Sequence, residues 1–308
     1  MPSWNDLIDE IKQEEAKKQA AIQALKQSQT LDEIRGKYIQ KLSLIRGRNV
    51  VCYYSGWLQR DPGVPVGIDD DDMNGFMNVV HGLDRSKGLD LVLHTPGGDL
   101  AATEAIVKYV RSCFGNDVVA IVPQLAMSAG TMIACSCKAI VMGRQSSLGP
   151  TDPQINGVAA GGVIEEFESA VDEIERKPSS AALWAQIIGK YHPTFLGDCQ
   201  KALDASRGIV GGWLSSNMFS GCADAERMAD AVVSTLCDHK KSAMHARHFS
   251  IDDLEELGLV VERLEDNDGV QDAVLTMHHA FMNTFAMSRA FKIIENSNGK
   301  RWVKQVSD

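Results

Sequence analysis

The chain has no apolar stretch of the roughly 18–20 residues that a membrane-spanning helix requires. Its longest nearly apolar segment, residues 118–135, is interrupted by Pro123, Gln124, Ser128, Gly130 and Thr131. A basic region followed by an apolar run, the mark of a secretory leader, is also missing; MPSWNDLIDEIKQEEAKK carries acidic residues instead. No GxGxxG follows a strand pattern, which argues against nicotinamide chemistry, and no cofactor is expected. The seven cysteines form no CxxC pair and no Cys/His zinc spacing, so no metal is expected either. An odd number of scattered cysteines reads as reduced thiols in a cytoplasmic protein. Cys135-Ser136-Cys137 admits a redox role, but closely spaced thiols at a helix end more often simply pack. An excess of basic charge is absent as well. With 31 Lys and Arg against 41 Asp and Glu, the net charge is -10, which argues against general affinity for nucleic acid or anionic membrane.

What is present is an ordinary globular composition, 44% hydrophobic and 23% charged over 308 residues, enough for one large domain or two small ones. Residues 4–46 read as a polar helical arm whose stripe is Leu7, Ile8, Ile11, Ala16, Ala20, Ile22 and Leu25, with a break expected at Ser28-Gln29-Thr30 and a new start capped by Thr30. From residue 49 the texture alternates between strand and helix: strands at 49–54, 89–94, 117–123 and 139–143, helices at 69–83, 101–114 and 128–137. Such alternation predicts parallel strands with right-handed crossovers, an α/β fold. Beyond residue 157 the pattern turns mostly helical, with helices at 163–176, 181–191, 196–219 (a break allowed at 208–212), 224–236, 250–257 and 270–294, and one short strand near Val260. The expected organisation is an arm over 1–48, a catalytic core over 49–160, and a mostly helical region, 161–308, completing the same fold. The run Asp69–Asp72 suggests a metal site at first sight, but a helix N-terminus explains it more simply.

Two turns carry chemistry. His94-Thr95-Pro96-Gly97-Gly98-Asp99 follows one strand, and two glycines after proline let the backbone turn sharply and bare its amides toward a developing oxyanion. Gln124-Leu125-Ala126-Met127-Ser128-Ala129-Gly130-Thr131 follows the next strand, placing Ser128 among small residues where a helix begins. Taken alone, Ser128 reads as an N-cap and the glycine pair as a tight turn. Lying one βαβ unit apart, both fall at the carboxyl edge of the sheet, where open α/β sheets place their sites.

TPGGD followed by AMSAGTM resembles the oxyanion and nucleophile segments of the Clp-protease/crotonase superfamily, notably the Clp peptidase subunit and signal peptide peptidase A. Residues 146–154 (SSLGPTDPQ), Lys190-Tyr191-His192-Pro193 and the tail Lys292-Ile293-Ile294-Glu295-Asn296 narrow the resemblance to the serine dehydrogenase proteinase family. The resemblance implies a ββα superhelix in which Ser128 is the nucleophile. The amides of Gly98 and Ala129, with Gly97 shaping the turn, would bind the oxyanion, and residues 146–154 would line the cleft, with His94, Thr151 and Asp152 against it.

The base does not carry over. Where the Clp subunit has its histidine, this chain reads Gly149-Pro150-Thr151-Asp152-Pro153. A Ser–Lys dyad of the signal peptide peptidase kind needs a lysine whose amine is freed by burial. Lys138 is too close to Ser128 in sequence. Lys177 has suitable spacing but charged neighbours, and Lys190 has apolar and aromatic ones. His94 and His192 also read as structural histidines, and Asp152 as a turn-forming Asp-Pro.

The expected function is therefore a serine endopeptidase working through an acyl-serine on a peptide or unfolded protein. The alternatives are a crotonase-like acyl-CoA enzyme and an inactive oligomeric scaffold. A homo-oligomer, trimer or larger ring, follows from the resemblance, with room for an unidentified regulatory partner.

Overall fold

The computed structural model of the chain describes residues 4–155, 157–237 and 247–306. At its centre lie five parallel strands: β1 (Asn49–Ser55), β2 (Leu89–His94), β3 (Val118–Val122), β5 (Ala139–Met142) and β9 (Val261–Arg263). Two antiparallel strands, β10 (Ala290–Asn296) and β11 (Arg301–Gln305), extend the sheet beyond β1, giving the order β11-β10-β1-β2-β3-β5-β9. Four short strands pair apart from it, β4 (Leu125–Ala126) with β6 (Ser147–Leu148) and β7 (Gln154–Ile155) with β8 (Val158–Ala159).

Strand residues alternate between two cores because successive side chains point to opposite faces. Val51, Tyr53, Leu91, Leu93, Ala120 and Val122 enter one core, which is covered by α2 (Asp72–Val80), α3 (Leu100–Phe114), α4 (Ala129–Cys135), α7 (Phe195–Ser216), α8 (Ala225–Leu236) and α9 (Ile251–Glu256). Val50, Cys52, Tyr54, Val92 and Ile121 enter the other, under α1 (Trp4–Arg46) and α10 (Asp268–Met287). Burial on both faces explains the near-continuous apolar runs of β1, β2, β3 and β5. A smaller cluster of Ala160, Val163, Cys199 and Leu203 joins α5 (Ala160–Arg176) to α7, and α6 (Ala181–Ile188) lies between them in sequence.

Several elements differ from the pattern expected of the sequence. α1 runs unbroken through Ser28-Gln29-Thr30, where no proline or glycine interrupts the amide ladder, and the Thr30 hydroxyl donates to the Lys26 carbonyl at 3.0 Å instead of capping. Ala16 is exposed, while the other stripe side chains of the arm lie outside the described residues. α7 passes Gly208 and Gly212 without a break. The helix expected over 270–294 ends at Met287, and the chain turns through extended Ser288 into β10, whose seven residues are all buried. α2 begins at Asp72 and not at Asp69. Its Asp72 carboxylate is buried against the Lys292 ammonium at 2.8 Å, so the aspartate run serves an ion pair more than a helix dipole.

Candidate active site

The site grows from the carboxyl ends of β2 and β3. After β2 the backbone crosses to β4 (Leu125–Ala126): the Thr95 amide donates to the Leu125 carbonyl at 3.1 Å, and the Met127 amide donates to the Thr95 carbonyl at 2.9 Å. This binds the first turn to the second. The Thr95 hydroxyl accepts from the Gly97 amide at 3.1 Å, and Gly97 takes φ +103°. A Cβ on Gly97 would lie 2.7 Å from Ser128 Cβ, and one on Gly98 would lie 2.2 Å from the Ile68 nitrogen. Glycine is required at both positions by close approach, and at Gly97 by the left-handed backbone too.

Ser128 has φ 51° and ψ -114°, the one positive φ of a non-glycine among the described residues. An N-cap has a β-region backbone and an engaged side chain. Ser128 has neither, since its hydroxyl makes no cap bond to α4. The turn thus presents the hydroxyl instead of spending it on the helix. Ala129 opens α4, where first-turn amides have no intrahelical partner. Its nitrogen lies 3.0 Å from where a Gly97 Cβ would sit, so the two turns meet at this amide. The Thr131 hydroxyl donates to the Ala126 carbonyl at 2.8 Å and accepts from the Gly149 amide at 2.9 Å. It thereby fastens residues 146–154 to the nucleophile helix.

A cleft of about 340 Å³ opens here, lined among others by Gly98, Ser128, Ala129, Thr151, Gln154 and Ser206. Ser206, from α7, was not singled out in the sequence; its serine hydroxyl donates to the Thr151 carbonyl at 2.8 Å. The Thr151 hydroxyl lies 2.9 Å from Cys237 Sγ. No local motif marks Ser206 or Cys237, because α7 and α8 bring them in from distant sequence. Among the lining residues Asp99 is the titratable side chain, and its carboxylate accepts from the Ala102 amide at 2.8 Å as the cap of α3.

Other expected site residues lie elsewhere. His94 faces the opposite core because it alternates with Leu93 along β2. Its ring centroid lies 4.3 Å from Trp57 and 5.1 Å from His278, and burial, with help from His278, pushes its imidazole down to about 2, against a raising influence of the Leu125 backbone. Asp152 is buried beside Thr151 but is not part of the cleft lining. Lys177 caps the end of α5 and Lys190 follows α6; both are exposed and neither lines the cleft, so neither has the burial a free amine requires. Lys138 pairs with Asp117, and exposed His192 contacts Thr194 at 3.0 Å. Cys135 and Cys137 are buried; desolvation raises both, Cys137 to about 12, so they remain unreactive thiols at neutral pH.

Comparison with known proteins adds the family. An uncharacterized protein of Methanocaldococcus jannaschii, MJ0137, is 34% identical over 108 residues, 34% of this chain and 37% of that protein. A second from the same organism, MJ1495, is 31% identical over 107 residues, 34% of this chain and 36% of its own length. The chain thus spans just over a third of the length of these curated relatives. The ClpP-like SDH-type serine proteinase family matches residues 21–182, which include both glycine and serine turns and the loop facing them. That is more than half of the chain, and the chain belongs to this family.

Proposed function

We propose that the chain is a serine endopeptidase that cleaves peptide bonds through an acyl-serine at Ser128. The observation that carries this reading is the Ser128 backbone, held at φ 51° with a hydroxyl that caps nothing, against the Gly97-Gly98 turn. In this reading Ser128 Oγ attacks the substrate carbonyl and the hydroxyl proton leaves to a base. The Gly98 and Ala129 amides donate to the resulting oxyanion. Collapse expels the amine, which takes up a proton, and water then hydrolyses the acyl-serine. A substrate segment lies extended beside the glycine turn, in the manner of an added strand. The Clp-protease/crotonase-like superhelix, a cytoplasmic setting and a homo-oligomer belong to the same reading.

Lys177 and Lys190 are not retained as bases, because both stand exposed away from the cleft. Asp99, the titratable residue of the cleft lining, is engaged as the cap of α3. That same lining favours a second reading, an oligomeric scaffold that keeps the fold without catalysis. A fluorophosphonate probe, with a coenzyme A binding measurement, separates these readings and the crotonase-like one. Labelling of the wild type that is lost in Ser128→Ala supports the peptidase. No labelling with measurable coenzyme A affinity supports the crotonase-like alternative, and neither signal in a folded oligomer supports the scaffold.

A further inference from the structure

Lys292 of β10 has a fully buried side chain, and its ammonium is saturated. Nζ donates to the Gly67 carbonyl at 2.6 Å, to Asp72 Oδ1 at 2.8 Å and to Asp69 Oδ2 at 3.1 Å. An ammonium has three N–H donors, and acceptors surround this one on residues 67–72. Its partners are held in turn. Asp72 accepts from the Tyr53 hydroxyl at 2.8 Å and from the Asp69 amide at 3.1 Å, and Lys304 of β11 lies 3.2 Å from Asp69 and 2.8 Å from Asp71.

Every contact of the ammonium falls on residues 67–72, and the next backbone unit along from Gly67 is Ile68. The Ile68 amide donates to the Gly97 carbonyl at 2.8 Å, and the Ile68 carbonyl accepts from the Asp99 amide at 2.9 Å. Both backbone groups of Ile68 are thus spent on the residues flanking Gly98, and Ile68 pairs with Gly98 as a parallel bridge. Gly67 packs as tightly: a Cβ there would lie 3.3 Å from the Gly97 oxygen. A buried ammonium among carboxylates adds little stability compared with apolar packing, but it fixes its partners in one arrangement.

We propose that Lys292 is a positioning residue for the oxyanion turn, clamping Gly67 and Asp72 so that Ile68 holds the Gly98 amide toward Ser128. The proposal rests on the reading of Ser128 and Gly98 given above. It joins two features that the sequence shows far apart, the aspartate run at 69–72 and the Lys292 tail.

The test measures the rate at which a fluorophosphonate phosphonylates Ser128, Oγ displacing fluoride from phosphorus, alongside hydrogen exchange of the Ile68 and Asp99 amides. Lys292→Met alone leaves Asp72 unpaired and endangers folding. The double variant Lys292→Met with Asp72→Leu replaces the ion pair by apolar groups, an exchange that folded proteins often tolerate. The expected result is a folded double variant phosphonylated at least tenfold more slowly, with an unchanged pH–rate profile and faster exchange at Ile68 and Asp99. Lys292→Arg is expected to restore part of the rate. Wild-type rate and exchange in the folded double variant overturn the proposal, and a displaced pH–rate inflection overturns the positioning role in favour of a titrating one. If wild-type protein itself is not labelled, the peptidase reading fails, and exchange at the two amides still decides whether the clamp exists.

Discussion

Ser128 holds its φ of 51° at a cost on the order of 1–3 kcal/mol, because Cβ crowds the backbone there. No hydrogen bond from its hydroxyl to α4 offsets that cost. Ser128→Gly is therefore expected to raise stability by about 1 kcal/mol, measured by denaturant unfolding, while abolishing acylation. Gly97→Ala should lower both quantities. A Cβ 2.7 Å from Ser128 Cβ and 2.9 Å from the Met127 oxygen must displace the elbow, costing about 1–3 kcal/mol and at least tenfold in acylation rate. The two turns were legible because glycine pairs and a serine flanked by small residues are local signals. Their contact was not, since it depends on Thr95 carrying β2 across to β4. For His94, proximity in sequence to the glycine turn says nothing of face, and strand alternation sends its ring to the other core.

At the scale of elements, β2 and α10 share a pair of buried imidazoles. The His278 ring is held down from 6.5 to about 4, by burial first and His279 second, and His94 goes down to about 2. In an unfolded chain both take up protons near 6.5, whereas the folded His278 does so only near 4. Between those values the unfolded state binds more protons, so stability falls as pH drops through the window. For His278 alone the loss by pH 4 is on the order of 3 kcal/mol. His278→Phe is expected to flatten the curve of unfolding free energy between pH 6.5 and 4, and an unchanged slope would contradict this. The parallel strands were readable because double-sided burial writes them as apolar runs. β10 was not, because AFKIIEN directly extends a helical pattern, and only the open position beside β1 selects the strand.

Across the whole molecule the first helix is tied to the last strands through a buried guanidinium. Arg35 Nε lies 2.9 Å from Glu295 Oε2, both side chains being 1% exposed, and Arg35 Nη1 donates to the Thr284 hydroxyl at 2.9 Å. Burial raises the Glu295 carboxyl above its usual range, and Arg35 opposes that rise. Arg35→Met leaves this buried carboxylate only the more distant Arg301 guanidinium at 3.9 Å, which is expected to cost about 3 kcal/mol at neutral pH. Part of the loss should return on acidification as Glu295 protonates, so unfolding of the variant followed at two pH values checks both magnitude and sign. Such long-range pairs, like the Lys292 clamp, are not legible in sequence because nothing local announces them. The sequence did carry the site's address, two turns one βαβ unit apart. It did not carry the base, and the two lysines it suggested stand away from the cleft.

Everything proposed for the cleft depends on Ser128 being a nucleophile. Its most direct measurement is intact and peptide mass spectrometry of the wild-type protein after fluorophosphonate treatment. One adduct per chain is expected, located on the peptide containing Ser128 and lost in Ser128→Gly, which remains folded. An adduct mapped to another residue, or undiminished labelling of folded Ser128→Gly, would contradict it.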